Sequence, residues 1–330
     1  MGALKITGQS AEPTVTGSDA GMIYYDSTAN NLKVYNGTNW QLLNEPAYGG
    51  EISPYASGGT TYRIHAFLTS GLFSVEKTLT ADILIVAGGG SGAHSYACGG
   101  GAGGLIYQSG RTITAGVYTL EIGAGGVKAA GKQIVGNVGG DSTFASTSAT
   151  LLTAKGGGYG GKESTAAGDG GSGGGAGHDV DGKGDGIQTT GSPVGDSRTY
   201  GFGNEGGNGV EHPNYNSGGG GGAGGAGGPG GVNESGSGGT GRDYSTIFGT
   251  TYGESGWFAS GGGGGWVADG NSGGGTASAG GGGAGSAANT AVATAGQANT
   301  GGGGGGTSLG VAADSAVAGG SGVIIIRYVI

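Results

Sequence analysis

Cysteine, proline, charge and long apolar runs are all scarce in this chain of 330 residues. The single cysteine, Cys98, cannot close an internal bridge, so no disulfide framework stands in for a core. Six prolines, and glycine that does not fall at every third position, exclude a collagen triple helix. Thirteen basic residues face 22 acidic ones, a formal net charge of −9, which argues against a phosphate-tracking nucleic-acid surface and against anionic membrane. The longest apolar runs, 83–87 and 323–326, fall far short of the ~20 residues of a membrane span, and the polar first residues carry no signal-peptide core. The expectation is a protein made in a cytoplasm without a signal peptide and without membrane insertion.

What the chain has instead is glycine, 93 residues of it, about four times the ordinary share. Each residue ordered on folding costs about 1–2 kcal/mol of backbone entropy and glycine loses more than any other, so a helical fold with a leucine-rich core is not affordable. Something other than apolar burial must hold most of the chain.

Four regions are distinguished by composition. Residues 1–44 read as a small β module: 21–25 and 32–35 alternate in strand fashion, Asn36-Gly37 is a type I′ hairpin signal, and Trp40 in the following strand can cover the sheet. Two or three short strands rarely stand alone, so the module is expected to serve attachment or oligomerisation. Residues 45–60, with Pro46, Pro54 and paired glycines, read as a linker. Strands are expected at 62–68, 71–75, 82–87, 104–107, 116–122 and 149–154, each short and rich in β-branched or aromatic residues. The continuously apolar 323–328 reads as a central strand covered on both faces, which returns the C-terminus to the sheet of residues 61–155 and leaves 156–320 as one long excursion.

That excursion carries glycine runs at 156–161, 168–177, 201–209, 218–231, 236–241, 261–265, 273–285 and 301–306. A single such run is a flexible linker. Repeated runs, joined by aromatic-bearing connectors and followed by a strand that must come home, point instead to a bundle of polyglycine-II rods with three residues per turn and ~3.1 Å rise. Lacking Cβ atoms, such rods approach one another on every side, and their N–H groups meet neighbouring carbonyls. On this reading Ala176, Ala223, Ala226 and Ala284 face outward, and Pro229, without an N–H, points to solvent or the bundle edge. The fold class is therefore all-β with an inserted polyglycine-II bundle and almost no α-helix.

The order of several motifs resembles the glycine-rich domain of bacteriophage tail-fibre proteins. The resemblance rests on 62–67, 70–75, Asp82 through Gly90, Gly100 through Leu105, Ile122 through Gly126, Gly139 through Phe144 and the closing Gly320 through Tyr328. Residues 21–26 and 34–40 are similar to a short module of phage structural and tail-fibre proteins. This resemblance implies a virion component, a tail-fibre adhesin that recognises a host cell-surface receptor, either polysaccharide or outer-membrane protein. It also implies contact with other tail proteins and a homotrimer. In T-even-type fibre-tip adhesins distal loops between polyglycine rods touch the host. A purely structural fibre or spacer and a polysaccharide-degrading tail protein are the alternatives.

Chemical motifs are weak. Gly88 to Ala93 satisfies a dinucleotide fingerprint after a strand, but no helix pattern follows and no acid stands ~20 residues on. The GxxxxGK matches at 126–132 and 156–162 lack the hydroxyl residue that holds magnesium. The acidic loop with Asp179, Asp181 and Asp185 places Lys183 and Thr190 where a calcium loop wants oxygens, so it reads as a solvated loop, with calcium an open question. Glu205, Glu211, Asp243 and Glu254 show no spacing that pairs them, and His65, His94, His178, His212 and Cys98 form no triad or zinc pattern. No enzyme activity, catalytic residue, cofactor or metal is expected. Among the connector aromatics Phe248 and Phe258 are expected to cap the bundle, while Tyr200, Tyr215, Tyr244, Tyr252, Trp257 and Trp266 are the candidate receptor-binding residues.

Overall fold

The computed structural model describes residues 8–11, 13–27, 31–35, 40–42, 45–94, 98–131, 133–178, 182–188, 201–211, 215–266, 273–287, 292–308 and 317–330. The N-terminal module is a four-stranded sheet of β1 (Gly8–Gln9), β2 (Ile23–Asp26), β3 (Asn31–Tyr35) and β4 (Trp40–Leu42), in that order, with β1 parallel to β2 and the rest antiparallel. Trp40 covers it as expected, its ring 4.7 Å from Tyr24 and 5.5 Å from Tyr35, both buried. The Asn36-Gly37 turn lies outside the described residues.

The expected linker at 45–60 is corrected. It forms β5 (Ala47–Tyr48) and β6 (Glu51–Ser57), and β6 pairs along its whole length with β7 (Thr60–Phe67). Gly58 and Gly59, at φ of 58° and 80°, are the two central residues of a type I′ hairpin, which needs left-handed backbone at both positions. Pro54 is tolerated because β6 is an edge strand.

Beyond β7 come β8 (Gly71–Val75), β9 (Leu79–Val86), β10 (Leu105–Ile113), β11 (Gly116–Glu121), β12 (Ser142–Ser146), β13 (Thr150–Ala154), β14 (Gly201–Phe202), β15 (Arg242–Asp243), the single-turn α1 (Ser245–Phe248), β16 (Trp257–Phe258) and β17 (Val323–Val329). They build a six-stranded sheet, β14-β10-β9-β17-β7-β6, facing a five-stranded one, β13-β12-β11-β8-β5. β17 enters between β9 and β7 and is antiparallel to both, and Val323 through Ile326 are fully buried. The C-terminus does return to a central slot, where four buried aliphatic side chains each contribute about 1.5–3 kcal/mol. One face of the six-stranded sheet packs Ile83, Ile85, Ile324 and Ile326 against Phe73, Leu120 and Phe144 of the other sheet. The opposite face, with Ile64, Leu84, Val86, Leu105 and Ile325, is covered by Ala223, Tyr244, Phe248 and Phe258.

The glycine runs are rods, and their hydrogen bonds repeat every third residue. From the run that begins at 218, the N–H groups of Gly218 and Gly221 reach the carbonyls of Ala176 and Gly173; those of Gly219 and Gly222 reach Gly228 and Gly225; those of Gly220 and Ala223 reach Gly262 and Ala259. Three faces, three neighbours and a period of three are the signature of a three-residue turn. Rod 98–104 is surrounded on all sides. It donates to Gly218 and Gly221, to Gly304 and Gly301, and to Gly158 and Lys155; it accepts from Gly90 and Ala93, from Ser172 and Gly175, and from Gly262. Six neighbours around one rod is hexagonal packing, held by N···O contacts of 2.7–3.3 Å.

This bundle is not confined to 156–320. Rods also occupy 87–94, 98–104, 122–130 and 134–141, because β9 runs directly into a rod and β10 and β12 emerge from rods. The dinucleotide-like Gly88 to Ala93 is the start of one. Pro229 is exposed, as expected, and so is Ala226, with Ala284 half-buried. Ala176 and Ala223 are buried, against expectation: the Ala223 methyl fills part of the layer beneath the six-stranded sheet, where a side chain is wanted.

Candidate binding surface

Neighbouring rods often run in opposite directions, so successive connectors emerge at opposite ends of the bundle. One end carries the two sheets. At the other the hydrogen-bond register brings together Val210 with Asn216, Gly231 with Glu234, Trp266 with Ser286, and Thr307 with Ala93. The far ends of many rods thus share one surface, held by main-chain bonds over the whole length of the bundle. Ser235 Oγ donates to Gly265 O at 2.9 Å and Asn216 Nδ2 to Gly231 O at 2.5 Å, tying these ends to each other.

Tyr215 stands on this far surface. Its backbone is left-handed at φ 47°, uncommon for a residue with a bulky side chain, and its half-buried ring meets the buried His178 imidazole edge-on at 4.7 Å. His178 Nε2 lies 3.8 Å from Glu163 Oε1, at the end of the neighbouring hairpin of rods. Glu163, Glu211 and Glu234 give this end exposed carboxylates. Trp266 is at the same end but only 4 % exposed, so it supports the surface from within; as a contact residue it is corrected.

The other aromatic candidates are at the opposite end. Tyr244, 6 % exposed, lies 5.0 Å from Tyr107 under the six-stranded sheet, and burial pushes its hydroxyl up to about 12. It too is corrected. Tyr252 packs half-buried against the same layer, which raises its pKa, and half-buried Trp257 pairs in β16 with Asp243 of β15. Phe248 and Phe258 cap the sheet as expected. Arg327 fastens this connector: its guanidinium lies over Tyr62 and Phe248, donates to the Ile247 carbonyl, and pairs with Asp82 at 2.5 Å. Burial alone would raise Asp82, but hydrogen bonds from Arg327, Gly110 and Ser109 outweigh it and hold the carboxyl below its usual range. Tyr252 and Trp257, half-buried as Tyr215 is, thus stand at the sheet end and Tyr215 at the far end, a division that residue composition does not show because it does not say at which end of an antiparallel bundle a connector emerges. Tyr200 and His212 lie outside the described residues.

The acidic groups serve the scaffold. Glu254 Oε2 accepts the N–H groups of Gly280 and Gly281 at 2.6 and 2.8 Å where one rod turns into the next, Asp243 Oδ1 accepts the Ser245 amide, and Glu205 pairs with Lys183 at 2.7 Å. Exposed Asp185 donates its own amide N–H to Asp169 Oδ1. Asp179 and Asp181 lie outside the described residues, and among the described residues no group of three or more His, Cys, Asp or Glu could hold a metal. Among those residues, too, no helix is long and apolar enough to cross a membrane.

No curated protein matches the sequence. The family model described as "Glycine-rich domain" matches residues 68–329, which span β8 through β17 and every rod of the bundle, and the chain belongs to that family.

Proposed function

We propose that the chain is a receptor-binding protein of a bacteriophage tail fibre, carried in the virion, and that it meets the host through the far ends of its polyglycine rods. The reading is carried by one observation: connectors at that end are gathered on a lattice of rods joined by main-chain hydrogen bonds, in which one rod is surrounded by six others. A rigid scaffold with variable connectors at one end is how binding surfaces are commonly built. The acidic rim of Glu163, Glu211 and Glu234 favours a neutral or cation-bearing receptor, polysaccharide or protein. The N-terminal module is the natural attachment point to other tail proteins or to two further copies in a homotrimer.

Adsorption of the purified chain to a panel of bacterial cells tests this. Tyr215→Ala and replacement of residues 162–165 are expected to reduce adsorption at least about tenfold, the effect of removing one binding hot spot. Tyr252→Ala and Trp257→Ala, at the other end, leave it unchanged. Absence of adsorption, or loss tracking only the second pair, favours the spacer reading; release of reducing sugar from the envelope favours the degrading enzyme.

A further inference from the structure

His65 is a fully buried titratable side chain that plays no part in the proposed receptor surface, and it sits where the chain passes from the N-terminal module into the sandwich. Its Nδ1 lies 2.7 Å from the Gly49 carbonyl and its Nε2 3.0 Å from the Tyr328 hydroxyl. A carbonyl only accepts, so Nδ1 carries the proton and neutral His65 presents a bare Nε2, to which Tyr328 donates. Tyr328 also faces Glu45, itself 7 % exposed and paired with Arg63 at 2.6 Å. The tyrosine has one hydrogen and two acceptors to serve.

The groups around the imidazole come from every element packed on it. They are Gly49 O from the β5–β6 turn, Tyr328 from β17 with its ring stacked at 5.6 Å, Phe73 from β8 edge-on at 5.2 Å, and Arg63 two residues earlier on the same strand. Glu45 and Tyr48 lie beyond, against Tyr328. Burial, first, and the Arg63 charge disfavour the imidazolium and bring His65 down to about 4, despite the Gly49 bond. Burial also raises Glu45 against the pull of Arg63 and Tyr328.

The segment these groups hold is short and tightly seated. Pro46 O accepts the Glu76 amide at 2.8 Å, Ala47 and Tyr48 pair with β8, and Gly49 turns at φ 121° so close that a Cβ there would stand 2.2 Å from Leu72 O. We propose that Glu45, Arg63, His65 and Tyr328 form an acid-released latch, which holds residues 45–50 between the two sheets at neutral pH and frees them when His65 takes up a proton. Releasing the segment would loosen the tether of the N-terminal module without disturbing the inner rods, which are joined to their neighbours by uncharged main-chain bonds.

The sign follows from the lowered value. The closed latch prefers neutral His65, so its stability is complete above the ordinary histidine value near 6.5 and is lost as pH falls from there toward about 4. With an open form titrating normally, the opening equilibrium grows about 30-fold by pH 5 and more than about 100-fold by pH 4. Amide hydrogen exchange on the full chain, corrected for intrinsic rates, reads this at residues 47–50 and at Glu76, with Ile324–Ile326 of β17 as internal reference. The expected result is a fall in protection of that size at the first set alone, flattened in His65→Phe. Should His65→Phe fail to fold, ring-nitrogen NMR of the unaltered chain decides: an Nδ1-protonated tautomer with a midpoint near 4 is required. A midpoint near 6.5, protection of 47–50 that persists to pH 4, or simultaneous loss at β17 overturns the latch.

Discussion

Replacing Gly101 by alanine places a methyl carbon 2.1 Å from the Ser172 carbonyl oxygen and 2.6 Å from that of Gly173. Ordinary contact needs roughly 3.5 Å, so rods 98–104 and 171–178 must part by about 1 Å. Two bonds join them there, Ser172 N–H to Ala102 O and Gly175 N–H to Gly99 O, both at 2.9 Å. Losing each removes about 1 kcal/mol and leaves buried polar groups that cost about 1–3 kcal/mol more, and the overpacking itself costs about 1–3 kcal/mol. A total of at least about 4 kcal/mol is comparable with the whole stability of many domains. The matched control is Gly273→Ala: nothing lies within 4 Å of its Cβ and its φ is not left-handed. Alanine there is expected to be neutral or to stabilise by about 0.4–1 kcal/mol through the unfolded chain. Urea denaturation of both variants, followed by tyrosine and tryptophan fluorescence, measures the difference. If Gly101→Ala lies within about 1 kcal/mol of the parent, rods in direct six-fold contact are refuted.

Asp82→Asn breaks the pair with the half-buried Arg327 and is expected to destabilise by about 1–3 kcal/mol at neutral pH. Because the Asp82 carboxyl is held below its ordinary 3.8, its contribution is intact above that value and fades as pH falls through the lower folded one; denaturation curves of parent and variant should therefore converge at the acid extreme. Phe248→Ala removes the cap beneath Tyr107 and Arg327 and should cost about 3–5 kcal/mol, visible as a lowered urea midpoint. Cys98 is fully buried, which pushes its thiol up to about 12, so labelling by a thiol reagent at pH 8 should wait for unfolding; labelling within seconds in the native state would contradict the packing around 98–104. Light scattering of the intact chain tests the proposed homotrimer, with a monomer mass counting against it.

Much of the architecture was legible because it depends on local composition. Continuous apolar character marked β17 as a central strand, and its burial between β9 and β7 needs nothing else. The rods were legible because a run without side chains has few ways to bury its peptide groups, and the third-residue hydrogen-bond period follows from the helix geometry. One miss is a local ambiguity, and the others depend on information a local reading does not contain. By composition Gly58-Gly59 between β6 and β7 reads as linker, though two glycines joining alternating segments equally spell the type I′ turn that the left-handed φ angles show. The ends at which Tyr244 and Tyr215 emerge depend on counting rod reversals, and each extra rod inverts the answer. His65 finds its partners 16 and 263 residues away, a distance over which no pattern of spacing points.

A polyglycine lattice also constrains where such a chain can change. Inside, a Cβ at Gly220 or Gly262 would stand 2.0 or 2.1 Å from a neighbouring carbonyl oxygen, so such positions of an inner rod admit only glycine. A rod at the edge is free on its outward faces, as the exposed Ala226, Pro229 and Val232 show at intervals of three along one rod. Side-chain chemistry is thereby driven to edge rods and to connectors. Connectors at the sheet end are themselves committed, since Tyr244, Phe248 and Phe258 must cover the apolar face of the six-stranded sheet and Arg327 must hold them there. The far end is less committed: Val232 and Glu234 at one rod reversal are exposed, and the reversal is held by the Gly231 N–H to Glu234 carbonyl bond and by the flanking Asn216 and Ser235 side chains. Packing thus leaves one end of the bundle able to vary in sequence while the lattice beneath it stays fixed, which is the physical requirement for a surface that must track a changing partner.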